Sequence, residues 1–189
     1  MSHGPRIPLL APELATAAAT DAGIPPIVAD LNVFRVWLHH PKLSRWFNDL
    51  LMGLLWDGSL EPRLRELVIM RCGWVTGSDY EWTQHWRIAL GLKLDEADLV
   101  AVREWTGSDR FGPAERAVLA ATDETIIDGA ISAATWRACL DHVSDDHRVL
   151  LELVAAIGTW RMVASILRSL DVPLEDGVMS WPPDGKGPT

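Results

Sequence analysis

Apolar residues recur at helical spacing along most of the chain, and Gly, Pro and short polar runs break the pattern at intervals. Residues 1–11 show no periodicity and read as an extended arm. Pro12 suits a first helical turn and opens a helix through about Ala22, which Gly23-Ile24-Pro25-Pro26 ends. Val28, Leu31, Phe34 and Leu38 mark an amphipathic helix over 27–39, closed by His40-Pro41. A further helix is expected over 43–56, with Asp57-Gly58-Ser59 as its stop. Glu61-Pro62 then opens a helix from Arg63 to Val75. Beyond it, Asp95 caps a short helix to Trp105, Pro113 begins one through about Ile127, and Ser132 caps one through about His142. A long apolar helix follows Ser144-Asp145-Asp146 and runs to about Leu170. Residues 171–189, with Pro173, Pro182, Pro183 and Pro188, read as a C-terminal tail. No alternating strand pattern and no Asn-Gly hairpin signal appears. The expectation is an all-α fold of seven to nine helices, in a single domain spanning 1–189.

The informative stretch is Arg63 to Leu92, two helices separated by Thr76-Gly77-Ser78. In the first, Leu64, Leu67, Val68, Ile69, Met70, Cys72, Trp74 and Val75 lie almost all round, as in a buried helix. Glu66 sits inside it, where a carboxylate is costly unless paired or protonated. In the second, Trp82, Trp86, Ala89 and Leu90 form an apolar arc and Thr83, Gln84 and Arg87 a polar one. Glu81 and His85 fall one turn apart at the edge of the apolar arc. Glu66, Glu81 and His85 are therefore candidates to meet between the two helices. Each also has a structural reading. Ser78-Asp79-Tyr80-Glu81 fits a capping box, Glu66 could pair with Arg63 one turn back, and His85 could be a hydrogen-bonded core residue.

Composition narrows the function classes. The formal net charge of −9 and the scatter of Lys and Arg argue against nucleic acid and anionic membranes as partners. No apolar stretch reads as long enough to span a bilayer, and the first residues lack a charged region followed by an apolar run. The reading is a cytoplasmic protein. Cys72 and Cys139, the two cysteines, stand far apart and read as buried reduced thiols. The six His residues form no H-x-x-x-H or H-E-x-x-H motif, so no metal site is expected. Ten Trp stand against one Tyr and three Phe. Most read as core and interface packing, but Trp82 and Trp86 flank Glu81 and His85 and could wall an apolar substrate pocket.

The Arg63–Leu92 segment resembles the carboxymuconolactone decarboxylase family, which shares its fold with alkylhydroperoxidase D. The peroxidase branch of that family carries a Glu on the first helix, then C-x-x-C, then a His four residues after the second Cys. On this sequence the Glu falls on Glu66 and the His on His85, while the Cys positions fall on Ser78 and Glu81. The decarboxylase branch carries R-E-L-V and E-x-x-x-H, matched by Arg65-Glu66-Leu67-Val68 and Glu81 to His85. The resemblance implies an alkylhydroperoxidase D-like helical fold and assembly into a homo-oligomer. It also implies cofactor-free chemistry on a small-molecule substrate. Thiol peroxidase activity is not expected, because Ser78 and Glu81 supply neither a thiolate nor a resolving thiol.

What remains is acid/base work on a small carboxylated or lactone-type organic acid: decarboxylation or a related isomerisation. In that scheme His85 donates the proton, Glu81 orients His85 or relays its proton, and Glu66 holds the network. The alternatives are a non-catalytic helical oligomer or a small-molecule-binding protein. A weak internal echo pairs Glu66-Leu67-Val68 and Gly73 with Glu152-Leu153-Val154 and Gly158, and leaves Glu152 either a buried partner or an exposed residue.

Overall fold

The computed structural model describes residues 4–189, and the first three positions of the expected arm lie outside the described residues. Among the described residues the regular structure is entirely helical. The α-helices are α1 (Pro12–Ala22), α2 (Asn32–Trp37), α3 (Pro41–Met52), α4 (Pro62–Thr76), α5 (Asp79–Gly91), α6 (Glu96–Ala101), α7 (Pro113–Ile127), α8 (Ala133–His142) and α9 (His147–Ser169). The chain divides into two compact units: residues to 57 with 166–178, and 58–165 with 179–189.

In the first unit α1, α2 and α3 pack around Ala15, Ala19, Phe34, Trp37 and Leu51. The helix expected over 27–39 is instead a 3-10 turn, Pro26–Asp30, followed by α2. The break sits at Leu31, whose backbone is extended. Long-range contacts hold it there: the Asn32 amide donates to the Glu175 carboxylate, and the Asn32 side chain donates to the carbonyls of Pro173 and Leu174. The described part of the arm, residues 4–11, is pinned. The Leu10 amide donates to the Arg35 carbonyl, the Arg35 guanidinium returns a bond to the Leu10 carbonyl, and Arg6 pairs with Asp171.

The second unit carries the Arg63–Leu92 pair. Glu61 caps α4 by accepting from the Leu64 amide, and Pro62 fills the first turn, where a missing N–H costs nothing. Gly77 ends the helix at φ 67°, with the Ser78 amide bonded back to the Gly73 carbonyl. Helix α4 packs against both α5 and α7, and α7 against α8. Gly73 sets the closeness of α4 to α5: a Cβ there would stand 3.0 Å from the Trp82 backbone nitrogen. Gly158, its partner in the echo, faces open space, so only one of the two glycines serves close approach. Glu152 is an anchor, its carboxylate accepting the amides of Ser59 and Leu60.

The helix expected over 95–105 stops early. Arg71, bidentate on Asp123, also donates to the carbonyls of Val102 and Arg103, and the segment 102–107 tightens to a 3-10 turn with Glu104 off helical geometry.

Two expectations are corrected here. Helix α9, of 23 residues and mean hydropathy 1.6, is long and apolar enough to cross a membrane by length and composition alone. In the fold it serves as a core helix, with Leu150, Leu153, Ala156, Ile157 and Trp160 buried in the second unit. The tail reading of 171–189 also changes. Residues 179–189 lie on α5, where the Trp181 amide and Ser180 hydroxyl donate to Asp79 and the Trp82 indole donates to the Pro182 carbonyl. This segment covers the Thr83 end of the polar arc of α5, which is why Thr83 is buried while Arg87 stays exposed.

Candidate functional site

Helices α4 and α5 bring Glu66 and His85 together, as the spacing suggested. Glu66 Oε2 lies 2.9 Å from His85 Nδ1, with the Glu66 side chain fully buried. The other carboxylate oxygen accepts from Arg65 Nε at 3.1 Å, so the partner of Glu66 is Arg65 and not Arg63. Arg63 instead binds Asp98 and Glu115. An ion pair this deep requires both partners, since either charge alone would be uncompensated.

The third member of the cluster was not legible in the sequence. Trp160 of α9 donates its indole N–H to His85 Nε2 at 3.0 Å, and the two rings stand 82° apart. This fixes the tautomer. Nε2 accepts, so the imidazole proton resides on Nδ1 and is donated to Glu66. His85 is thus a neutral ring with both nitrogens engaged inside the protein, and the proposed donor role for His85 does not fit this arrangement. The signal available beforehand was chemical: a buried His needs two partners, and of the two acids that the two-helix stretch offered, only Glu66 bonds to the ring.

Glu81 does not join this network. It is 3% exposed, and neither carboxyl oxygen makes a hydrogen bond. The capping box is also absent, because Ser78 makes no side-chain cap to α5 and its hydroxyl is likewise unpartnered. Burial pushes the Glu81 carboxyl well above its ordinary value, against a smaller opposing effect of the nearby Ser78 hydroxyl. The role of Glu81 as an orienter of His85 is therefore corrected. It stands buried on α5, one turn before His85, with its carboxyl oxygens unpartnered and its pKa raised.

Trp82 and Trp86 are buried in a cluster with Leu67, Met70, Ala89 and Leu99. Trp82 stacks between Trp74, Trp86 and Trp181, whose ring centroids lie 5.2, 5.9 and 6.0 Å away. Both tryptophans face the core and the covering segment rather than an open pocket.

Two comparisons bear on this geometry. The sequence profile of the carboxymuconolactone decarboxylase family matches residues 41–124, a span that includes Glu66, Glu81 and His85. Over residues 41–124 the chain is similar to the carboxymuconolactone decarboxylase family. Solved structures agree at the level of fold. A peroxidase-related protein from a Silicibacter species superposes with a TM-score of 0.74 at 12% identity, covering 94% of this chain and 95% of that one. A peroxidase-related protein from Ralstonia eutropha, described as an alkylhydroperoxidase D core, gives 0.71 at 17% identity, covering 93% and 95%. A Cys-to-Ala variant of the debrominase Bmp8, in complex with 2,3,4-tribromopyrrole, gives 0.72 at 17% identity, with the same two coverages of 93% and 95%. No curated protein matches the chain in sequence.

Both thiols lie away from the Cys positions of the peroxidase branch, and only Cys72 falls within residues 41–124. Cys72 is buried in α4, and burial first, then the Glu81 and Asp123 carboxyls, push its thiol well up. Cys139 is buried in α8 and pushed up to about 11, chiefly by burial. Neither is poised as a thiolate at neutral pH.

Proposed function

We propose that the second unit is an acid/base catalyst acting on a small carboxylated or lactone-type organic acid, by decarboxylation or a related isomerisation. The observation that carries this reading is the Glu81 carboxyl: buried, without a hydrogen-bond partner, and with its pKa pushed well upward by burial. An ordinary Glu has lost its proton at neutral pH, whereas this one keeps a proton to give. In decarboxylation the bond to the departing carboxylate breaks and its electron pair enters an enolate. Glu81 Oε–H delivers the proton to that carbon, and water returns a proton to Glu81. The Arg65–Glu66–His85–Trp160 chain holds α4, α5 and α9 around the acid and fixes the imidazole beside it. The similarity of residues 41–124 to the carboxymuconolactone decarboxylase family supports the reaction class. Thiol peroxidase chemistry finds no support in the buried thiols. The exposed stripe of Leu151, Val154 and Met162 on α9 supports homo-oligomerisation through that face.

The test is turnover against a panel of carboxylated lactones and β-keto acids, read by CO2 release and by solvent deuterium incorporated at carbon. Glu81→Gln is expected to lower turnover by roughly 10²-fold or more. Full activity in a folded Glu81→Gln protein rejects the assignment. Saturable binding without turnover across the panel would favour a small-molecule-binding protein.

A further inference from the structure

Segment 179–189 places a particular set of chemical groups on the face of the second unit formed by Trp74, Trp82 and Arg103. The Trp181 indole stands edge-on to Trp74 at 5.7 Å and lies against Trp82 at 6.0 Å. The Pro182 carbonyl accepts from Trp82 Nε1 at 2.8 Å and from Arg103 Nη2 at 3.1 Å. The Asp184 carboxylate takes Arg103 in a two-point bond, at 3.0 and 3.1 Å. Together these are a planar aromatic ring, a carbonyl and a carboxylate.

The receiving surface is built for such a ligand. The Arg103 guanidinium lies over two indole rings, 4.8 Å from the centre of Trp74 and 5.0 Å from that of Trp82, and its terminal nitrogens reach the Asp184 carboxylate. Planar, bidentate geometry of this kind selects carboxylates. Arg103 Nε is buried and has no partner, so the donor set of the cradle exceeds what the segment satisfies.

We propose that Trp74, Trp82 and Arg103 form a binding site for a small aromatic carboxylate, and that residues 179–189 occupy it in cis as a displaceable plug.

Three features make the plug displaceable rather than a permanent wall. The segment carries no helix of its own and is held by side-chain contacts and short turns. Trp181 has φ 50°, an unfavourable backbone for a residue with a side chain, so its contacts keep it in place against an opposing conformational preference. Its ionic hold, Asp184 on Arg103, is 37% exposed on the Asp184 side and so competes with water. Arg103 also lines an open cleft of about 430 Å³ with Val100, Ala101, Glu104, Gly107 and Ser108, which gives a ligand a route to the guanidinium. The proposal does not depend on the acid/base reading of Glu81, and binding tests it whatever the turnover.

The experiment uses the full chain and two probes, indole-3-acetate and benzoate, with indole as the ring lacking a carboxylate. A tethered occupant lowers apparent affinity by the fraction of time the site is free. Asp184→Asn loosens the ionic hold and is expected to tighten indole-3-acetate at least about tenfold relative to the unaltered chain, as read by calorimetry. Adding Arg103→Gln to that variant should abolish the gain, and indole should bind more weakly than indole-3-acetate in Asp184→Asn. In the unaltered chain, saturating indole-3-acetate should speed hydrogen exchange at the Trp181 and Gly185 amides. Equal affinities in the two proteins, or a gain that survives Arg103→Gln, overturns the proposal. Should Asp184→Asn not fold, the exchange measurement decides, and unchanged exchange at saturating probe rejects the plug.

Discussion

Replacing Glu81 by Gln tests the neutral-acid assignment through stability, independently of any substrate. Gln has the shape of a protonated Glu and keeps its polarity but cannot ionise. Burial raises the folded-state pKa of Glu81 above the ordinary value of 4.5 that an unfolded chain retains. Below 4.5 both states hold the proton, and the stability contribution is at its fullest. Above 4.5 the unfolded state releases the proton while the folded state keeps it, so stability falls as pH rises until the folded pKa is passed. Each pH unit in that window costs about 1.4 kcal/mol, and two units about 2.7 kcal/mol. For a chain of this size 1 kcal/mol moves Tm by about 2–4 °C. Within that window the unaltered protein should therefore lose about 3–6 °C of Tm per pH unit relative to Glu81→Gln. The comparison between the two proteins removes every other titrating group common to both. Cys72, whose ordinary value is 9.0 and which is pushed upward, does not titrate in this window in either state. The assay is a set of thermal melts by circular dichroism at half-unit steps of pH. Parallel Tm profiles for the two proteins would show that Glu81 ionises normally and would refute the argument for a neutral acid.

Two further substitutions probe the frame around that acid. Trp160→Phe removes the indole N–H that His85 Nε2 accepts, and is expected to cost about 1–3 kcal/mol in urea unfolding. By 15N NMR the unaltered protein should show His85 as the Nδ1–H tautomer and the variant a mixture; an Nε2–H form in the unaltered protein would contradict the assigned network. Gly73→Ala places a Cβ 3.0 Å from the Trp82 backbone nitrogen, where backbone cannot yield cheaply. The strain should outweigh the better helix propensity of Ala and lower stability by about 1–3 kcal/mol, so an unchanged urea midpoint would disprove close approach as the reason for this glycine.

Much of the fold was legible because helical periodicity and end signals are local. Pro62, Gly77, Asp95, Pro113 and Ser132 mark helix ends in the structure as the sequence suggested. Elements went astray where a distant side chain took over the backbone. Asn32, reaching 173–175, breaks the helix expected over 27–39, and Arg71, reaching Val102 and Arg103, tightens the one expected over 95–105. No local pattern could announce either contact.

The site divides along the same line. Glu66 and His85 could be paired from the sequence because each was a polar residue in apolar surroundings, and such groups need partners. By the same reasoning Glu81 should have been partnered, and it is not. The difference lies in protonation. A buried carboxylate must find a cation or a donor, as Glu66 finds Arg65 and His85. A carboxyl that keeps its proton needs far less, and can stand alone among apolar neighbours at the cost of a pKa displaced upward. Two Glu residues on adjacent helices thus meet different surroundings: Glu66 has a guanidinium and an imidazole, whereas the Glu81 carboxyl oxygens have no hydrogen-bond partner. That contrast, rather than membership of a single triad, separates Glu66, which ties α4 to α5 through His85, from Glu81, whose proposed role is to give up a proton.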